Sequence, residues 1–130
     1  MNQRLAHIAV LVDDYDEAIA FYTQKLNFAL VEDTALSSSK RWVLVKPKGD
    51  EGCSILLAKG VNDLQKSRIG NQTGGRVFLF LYTDDFNRDY QNLIKNNVKI
   101  IGEPRHEKYG IVAVFEDLYG NRWDLIEPAK

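Results

Sequence analysis

The stretch that decides the fold runs from Phe115 to Pro128 and reads Phe-Glu-Asp-Leu-Tyr-Gly-Asn-Arg-Trp-Asp-Leu-Ile-Glu-Pro. A run of β-forming residues leads into it and ends at Phe115. Gly120-Asn121 predicts a turn because both residue types tolerate positive φ. Residues 122–127 then predict a second strand, so the whole stretch predicts a β-hairpin.

The second strand of this hairpin carries one carboxylate among apolar neighbours. Side chains alternate along a strand, which predicts Trp123 and Leu125 on one face and Asp124 and Ile126 on the other. Strands rarely bury an aspartate that has neither a partner nor a function. Asp124 is therefore the first candidate functional residue.

Length and composition predict one ordinary globular domain. The chain has 130 residues, 45% of them hydrophobic and 27% charged, and its 17 basic and 18 acidic residues give a net charge of −1. This balance excludes the basic excess of a nucleic-acid-binding protein, and no apolar run approaches the roughly 20 residues of a membrane helix. Cys53 is the only cysteine and the N-terminus lacks a secretory signal, so we expect a cytoplasmic protein.

The rest of the chain predicts a β-α-β-β-β pattern that occurs twice. The first copy has strands at 5–12, 28–32, 41–46 and 53–58 and a helix at 15–26. The second has strands at 76–83, 98–101, 112–115 and 122–127 and a helix at 86–96. Residues 60–75 predict a linker with one short helical turn, and 33–40 and 103–110 predict loops.

The two copies correspond at a nearly fixed offset, which indicates an internal duplication. Asp13-Asp14-Tyr15 corresponds to Asp84-Asp85-Phe86 at a distance of 71 residues. Residues 41–45 correspond to residues 111–115 at a distance of 70. One supersecondary unit is thus present twice.

Together, the hairpin and the duplication resemble the vicinal oxygen chelate superfamily, which includes glyoxalase I, bleomycin-resistance proteins and extradiol dioxygenases. In that family an Asp-Pro-Asp-Gly-Asn turn precedes a strand with a metal-binding glutamate. This chain has Asp117-Leu118-Tyr119-Gly120-Asn121 at the turn and Asp124 at the glutamate position. The resemblance implies an α+β fold of two tandem β-α-β-β-β modules that form an eight-stranded, cleft-enclosing sheet. It implies a single domain over 1–130, with modules at 4–59 and 76–128 and a linker at 60–75.

In that family, the first and last strands of each module each supply one ligand to a divalent metal. Carried over by position, this implies His7, Ser54, Phe78 and Asp124. Phe78 cannot coordinate a metal and Ser54 is a poor ligand, so we expect no tightly bound cofactor. Glu127 is a strong donor, but strand parity sends it to the face opposite Asp124. A divalent metal held by His7 and Asp124 remains the alternative.

His7 and Asp124 are each polar residues inside apolar strands, and the resemblance implies that they face one cleft. Three roles stay open for them: a structural or ligand-binding pair, a catalytic acid–base pair, or metal ligands. Further ligand-binding candidates are the strand residues Arg76, Phe78 and Tyr82, together with Ser54, Trp42 and Tyr109. Arg76, Phe78, Phe80 and Tyr82 are expected to alternate onto one face, with Phe80 more typical of core. His106, in a polar loop, is expected to be solvated.

Two functions are consistent with these residues. One is an enzyme acting on a small oxygen-rich molecule as a lyase, isomerase or dioxygenase, with a degraded metal site. The alternative is a metal-free protein that binds or sequesters a small molecule, as bleomycin-resistance proteins do. In both, the resemblance implies a homodimer, and we expect neither a nucleic-acid nor a membrane partner.

Overall fold

The computed structural model describes residues 1–49 and 52–130. These residues form two compact units, Met1–Ile69 and Gly70–Lys130, whose boundary lies in the predicted linker. None of the helices in the described part of the chain has the length and apolar character needed to cross a membrane. The elements are β1 (His7–Val12), α1 (Tyr15–Ala20), β2 (Ala29–Ala35), β3 (Arg41–Lys46), β4 (Ser54–Lys59), α2 (Asp63–Arg68), β5 (Val77–Tyr82), α3 (Phe86–Lys95), β6 (Ile100–Glu107), β7 (Gly110–Glu116) and β8 (Arg122–Pro128).

The first unit contains a four-stranded sheet in the order β1-β4-β3-β2. Strands β1 and β4 are parallel, and the other pairs are antiparallel. Asp14 caps the N-terminus of α1, because its Oδ2 accepts a hydrogen bond from the Glu17 backbone N–H at 2.8 Å. After α1 the chain continues as a π-helical turn, Phe21–Lys25. Asn27 then adopts a φ of 60° and ends the helical segment, as the sequence predicts.

The core of the first unit lies on one face of its sheet. Helix α1 packs on β3 and β4. The side chains buried on this side are mostly valine and leucine, namely Val10, Val12, Ala18, Val43, Val45 and Leu57. Because side chains alternate along β1, His7 and Ala9 lie on the opposite face, and both are exposed.

The second unit repeats this design, with the strand order β5-β8-β7-β6 and with β5 and β8 parallel. Asp85 caps the N-terminus of α3, because its Oδ1 accepts a hydrogen bond from the Arg88 backbone N–H at 3.0 Å. Asn97 ends this helix with a φ of 59°. The predicted duplication is therefore present in both the strand order and the helix ends, and the eight strands form two four-stranded sheets.

The predicted hairpin is confirmed as β7 and β8. Phe115 pairs with Trp123 on one face, and Val114 pairs with Asp124 on the other. The Phe115 and Trp123 rings are stacked, with centroids 5.8 Å apart. The alternation predicted from the sequence is therefore correct, and it places Asp124 on the face away from this aromatic pair.

Asp117 organises the turn between these strands. Its Oδ1 accepts from the backbone N–H groups of Tyr119 (3.1 Å) and Asn121 (2.9 Å). Its Oδ2 accepts from Asn121 Nδ2 at 2.9 Å and from Trp123 Nε1 at 3.3 Å. Gly120 has a φ of 99°, whereas Asn121 contributes its side chain to the turn and not a positive φ. A buried carboxylate with this many donors is a structural residue.

The structure corrects two predicted loops. Strand β6 extends to Glu107 through residues predicted as a polar loop, and β2 extends to Ala35. Both are edge strands of their sheets. An edge strand is held by backbone hydrogen bonds to a single neighbouring strand, and its side chains can be polar. Neither its composition nor an apolar–polar alternation therefore identifies it in the sequence. His106 consequently lies in a strand, although it is exposed as expected.

Candidate functional site

The site of interest in the second unit surrounds Asp124, in the middle of β8. Asp124 pairs in register with Phe80 on β5 and with Val114 on β7, so the three side chains share one face. Tyr82 lies two residues beyond Phe80 on that face. Phe80 is 63% exposed and Tyr82 70% exposed, whereas Asp124 is only 7% exposed. We call this surface the Asp124 face; it comprises Phe80, Tyr82, Arg105, Val112, Val114, Asp124 and Ile126.

The Asp124 carboxylate is incompletely satisfied. Its Oδ1 is buried and has no hydrogen-bond partner within residues 1–49 and 52–130. Burial raises the pKa of Asp124 above its usual value, and the positive charge of Arg105 opposes that increase in pKa. An unpaired buried acceptor costs roughly 1–3 kcal/mol, so this arrangement lowers stability.

Arg105 places a positive charge on the same face. It pairs in register with Val112, which in turn pairs with Ile126 two residues from Asp124. Its guanidinium is half-exposed and lies 3.4 Å from Glu107 Oε1. Arg105 was not among the site residues predicted from the sequence, because residues 103–110 were predicted to be a loop, in which the direction of a side chain is not fixed by strand alternation.

In the first unit, three predicted residues share one face of the sheet. His7 on β1 pairs in register with Ser54 on β4. The rings of His7 and Trp42 meet edge to face, with centroids 5.9 Å apart and an interplanar angle of 77°. His7 is exposed, Trp42 is half-buried and Ser54 is buried. The first unit thus carries an aromatic pair beside a hydroxyl group.

The registers correct the position assigned to Ser54. Leu44 pairs with Leu56 in the first unit, and its counterpart Val114 pairs with Asp124 in the second. Leu56 is therefore the counterpart of Asp124, and Ser54 is not. The shift arises because the β3–β4 connection, residues 47–53, is two residues longer than the β7–β8 connection, residues 117–121. The ligand-binding role of Ser54 stays a prediction.

A bulge in β5 corrects a second assignment. The register shifts between Val77 and Leu79, so the predicted alternation from Arg76 onwards does not continue through Phe78. Phe80 and Tyr82 lie on the Asp124 face, while Arg76 precedes the strand and is exposed. Phe80, expected to belong to the core, is largely exposed.

The remaining candidates lie away from the Asp124 face. Glu127 is on the opposite face of β8, as strand parity predicts, and its Oε1 accepts from the Phe86 backbone N–H at 2.8 Å. It therefore caps α3. Tyr109 is exposed in the turn between β6 and β7. His106 pairs with Ile111, the partner of Glu127, and so also lies on the opposite face from Asp124.

The potential metal ligands among the described residues do not form a catalytic metal site. In the described residues, no group of three or more His, Cys, Asp or Glu side chains could hold a metal ion. Of the four positions implied by the resemblance, Phe78 is apolar and Ser54 is a poor metal ligand, which leaves His7 and Asp124. Catalytic sites generally use three protein ligands. The prediction that His7 and Asp124 act on one ligand stays a prediction, since they belong to different units.

These two modules define the class of protein. Residues 4–125 match the model of the Glyoxalase/Bleomycin resistance protein/Dioxygenase superfamily. The chain belongs to this superfamily, as the sequence resemblance implies.

Similar proteins include a relative of unassigned function and two solved structures. An uncharacterized protein of Shewanella frigidimarina is 55% identical, covering 98% of this chain and 95% of the relative. The structure of UcmS2 matches with a TM-score of 0.85 and 29% identity, over 98% of this chain and 99% of that chain. TnmS3, an antibiotic binding protein from Streptomyces sp. CB03234, matches with a TM-score of 0.80 and 29% identity, over 98% of both chains.

Proposed function

We propose that this protein binds and sequesters a small planar aromatic molecule without using a metal ion. The observation that carries the proposal is the Asp124 face, where two largely exposed aromatic side chains, Phe80 and Tyr82, lie on the same face as a buried carboxylate. A monomeric domain normally buries its aromatic residues. Exposed aromatic side chains beside an incompletely satisfied polar group are typical of a ligand site.

The aromatic side chains favour a flat ligand. Phe80 and Tyr82 offer ring surfaces on which a fused ring system can stack, and such contacts contribute about 0.5–1.5 kcal/mol each beyond area burial. In the first unit, the half-buried Trp42 ring makes an edge-to-face contact with His7 and adds a smaller aromatic surface. Each unit therefore supplies aromatic surface from its own sheet.

Two apolar residues, Leu56 and Phe78, support binding over metal-dependent catalysis. Phe78 stands where the family resemblance implies a metal ligand, and Leu56 is the counterpart of Asp124 in the first unit. Among the described residues, no cluster of three metal-ligating side chains is present to hold an ion that could polarise a substrate oxygen. Both residues add apolar surface, which favours binding of a hydrophobic ligand. The likeness to TnmS3, described as an antibiotic binding protein, supports the same proposal.

Titration with uncharged fused-ring probes tests the proposal. We expect naphthalene and anthraquinone derivatives to bind the purified protein with micromolar affinity, measured by fluorescence or calorimetry. Pretreatment with EDTA should leave the dissociation constants unchanged. Binding that is lost on chelation, and restored by a stoichiometric divalent ion, would overturn the proposal in favour of the metal-dependent enzyme.

We propose in addition that the protein is a homodimer. Strand β2 is an edge strand and carries the exposed side chains Leu30 and Val31. Unpaired edges with apolar residues are commonly covered by association. Sedimentation velocity should give twice the mass of one chain at micromolar concentration, and a monomer at high micromolar concentration would refute the proposal.

A further inference from the structure

The two buried aspartates of the second unit differ in how their oxygens are used. Asp117 accepts hydrogen bonds from its own turn and from Trp123. Asp124 Oδ1 is equally shielded but has no partner among the described residues. Asp117 therefore has a structural role in the turn, whereas Asp124 has a carboxylate oxygen that accepts no hydrogen bond from the described residues.

The counterpart of Asp124 shows that the fold does not need a carboxylate at this position. Leu56 occupies it in the first unit, at the corresponding register between equivalent strands. An apolar side chain is thus accommodated by the same local architecture. A role in binding explains an aspartate at position 124 where a structural role does not.

The charges around Asp124 favour an uncharged ligand group. Arg105, on the same face, partly offsets the charge of Asp124. Glu116 faces Lys99 at 3.6 Å and Arg122 at 3.8 Å. A cationic ligand would meet the positive charge of Arg105, and an anionic ligand would meet the carboxylate of Asp124. A neutral hydroxyl group provides a donor without that cost.

We propose that Asp124 selects aromatic ligands bearing a hydroxyl group, whose O–H donates to the Asp124 carboxylate while the ring rests on Phe80. This inference rests on the proposed binding function and names the ligand class of the same site. The register pairing of Phe80 and Asp124 puts the ring surface and the acceptor side by side. A phenolic hydroxyl at the ring edge meets both requirements.

A matched pair of probes tests this inference: 2-naphthol, and 2-methoxynaphthalene, which lacks the donor. We expect the wild-type protein to bind 2-naphthol roughly tenfold or more tightly, as a hydrogen bond to a charged acceptor predicts. Asp124→Leu should bind the two probes alike, and Asp124→Asn, which keeps an acceptor, should retain part of the preference. Circular dichroism and thermal melting establish that each variant is folded.

The outcomes separate this inference from the proposed function. If wild type binds both probes equally, or if Asp124→Leu keeps the preference, the hydroxyl selection is wrong and the binding function stands. If neither probe binds at millimolar concentration, both proposals are wrong. A preference that is present in wild type and absent in Asp124→Leu supports both.

Discussion

Phe80 and Asp124 pair in register on the parallel strands β5 and β8, so an exposed aromatic ring and a buried carboxylate share one face. The equivalent pair in the first unit is Ala9 and Leu56. Two copies of one supersecondary unit thus carry different chemistry at the same place. The polar acceptor and the ring that flanks it belong to the second copy alone.

Replacing Asp124 by leucine should stabilise the protein at neutral pH. Burial raises the folded-state pKa of Asp124, so the folded protein holds this proton more tightly than the unfolded chain does. The stability contribution of Asp124 is therefore highest below the unfolded pKa, about 3.9, and falls as the pH rises through the folded pKa. We expect Asp124→Leu to gain about 1–3 kcal/mol at pH 7 and less at pH 3, measured by urea denaturation.

The converse substitution provides the control for this prediction. Leu56→Asp places a carboxylate at the counterpart position and should destabilise the protein at pH 7 more than at pH 3. If Asp124→Leu lowers stability equally at both pH values, Asp124 forms a stabilising contact, and its carboxylate is not an unused acceptor.

Phe80→Ala should weaken ligand binding while leaving stability almost unchanged. Phe80 is 63% exposed, so truncation removes little buried area from the fold but removes a stacking surface. We expect 2-methoxynaphthalene to bind about tenfold more weakly, with a thermal midpoint within a few degrees of wild type. The matched control is Ile94→Ala, an exposed apolar residue on α3. Equal losses of affinity in the two variants would refute a specific role for Phe80.

Glu127→Ala should destabilise the protein through α3. The Glu127 side chain reaches from β8 to accept the Phe86 backbone N–H at 2.8 Å, which joins the start of the helix to the sheet. Loss of this cap is expected to cost about 1 kcal/mol, measured by urea denaturation. Glu127→Gln keeps an acceptor oxygen and should lose less. A loss of probe binding in Glu127→Gln would show that this carboxylate acts in the site.

Gly70→Ala should be much more destabilising than Gly74→Ala. Both glycines have positive φ, 76° and 66°, so both alanines carry a conformational cost of about 1–2 kcal/mol. At Gly70, a Cβ atom would lie 1.9 Å from the backbone oxygen of Tyr119, whereas at Gly74 it meets no atom within 4 Å. We expect Gly70→Ala to cost more than about 3 kcal/mol in chemical denaturation. Similar costs for the two variants would contradict the close approach of residue 70 to the 117–121 turn.

Sequence alone determined the features whose causes are local. Asp14 and Asp85 precede helices and cap them, and Asn27 and Asn97 end those helical segments, because these residue types satisfy helix ends within a few positions. The hairpin and the facing of Asp124 followed from turn chemistry and strand alternation, which also act over short distances.

Only the tertiary structure decided which side chains meet across strands. A bulge in β5 makes Phe80, in place of Leu79, the partner of Asp124. A longer β3–β4 connection makes Leu56, in place of Ser54, the counterpart of Asp124. Strand β6, and with it the facing of Arg105, depends on backbone pairing with β7. Register is set by bulges, connection lengths and hydrogen bonds between distant segments, and a shift of one residue reverses every side chain after it. The fold can therefore be predicted from the sequence. The set of residues that form the site depends on strand pairings that no local sequence pattern predicts.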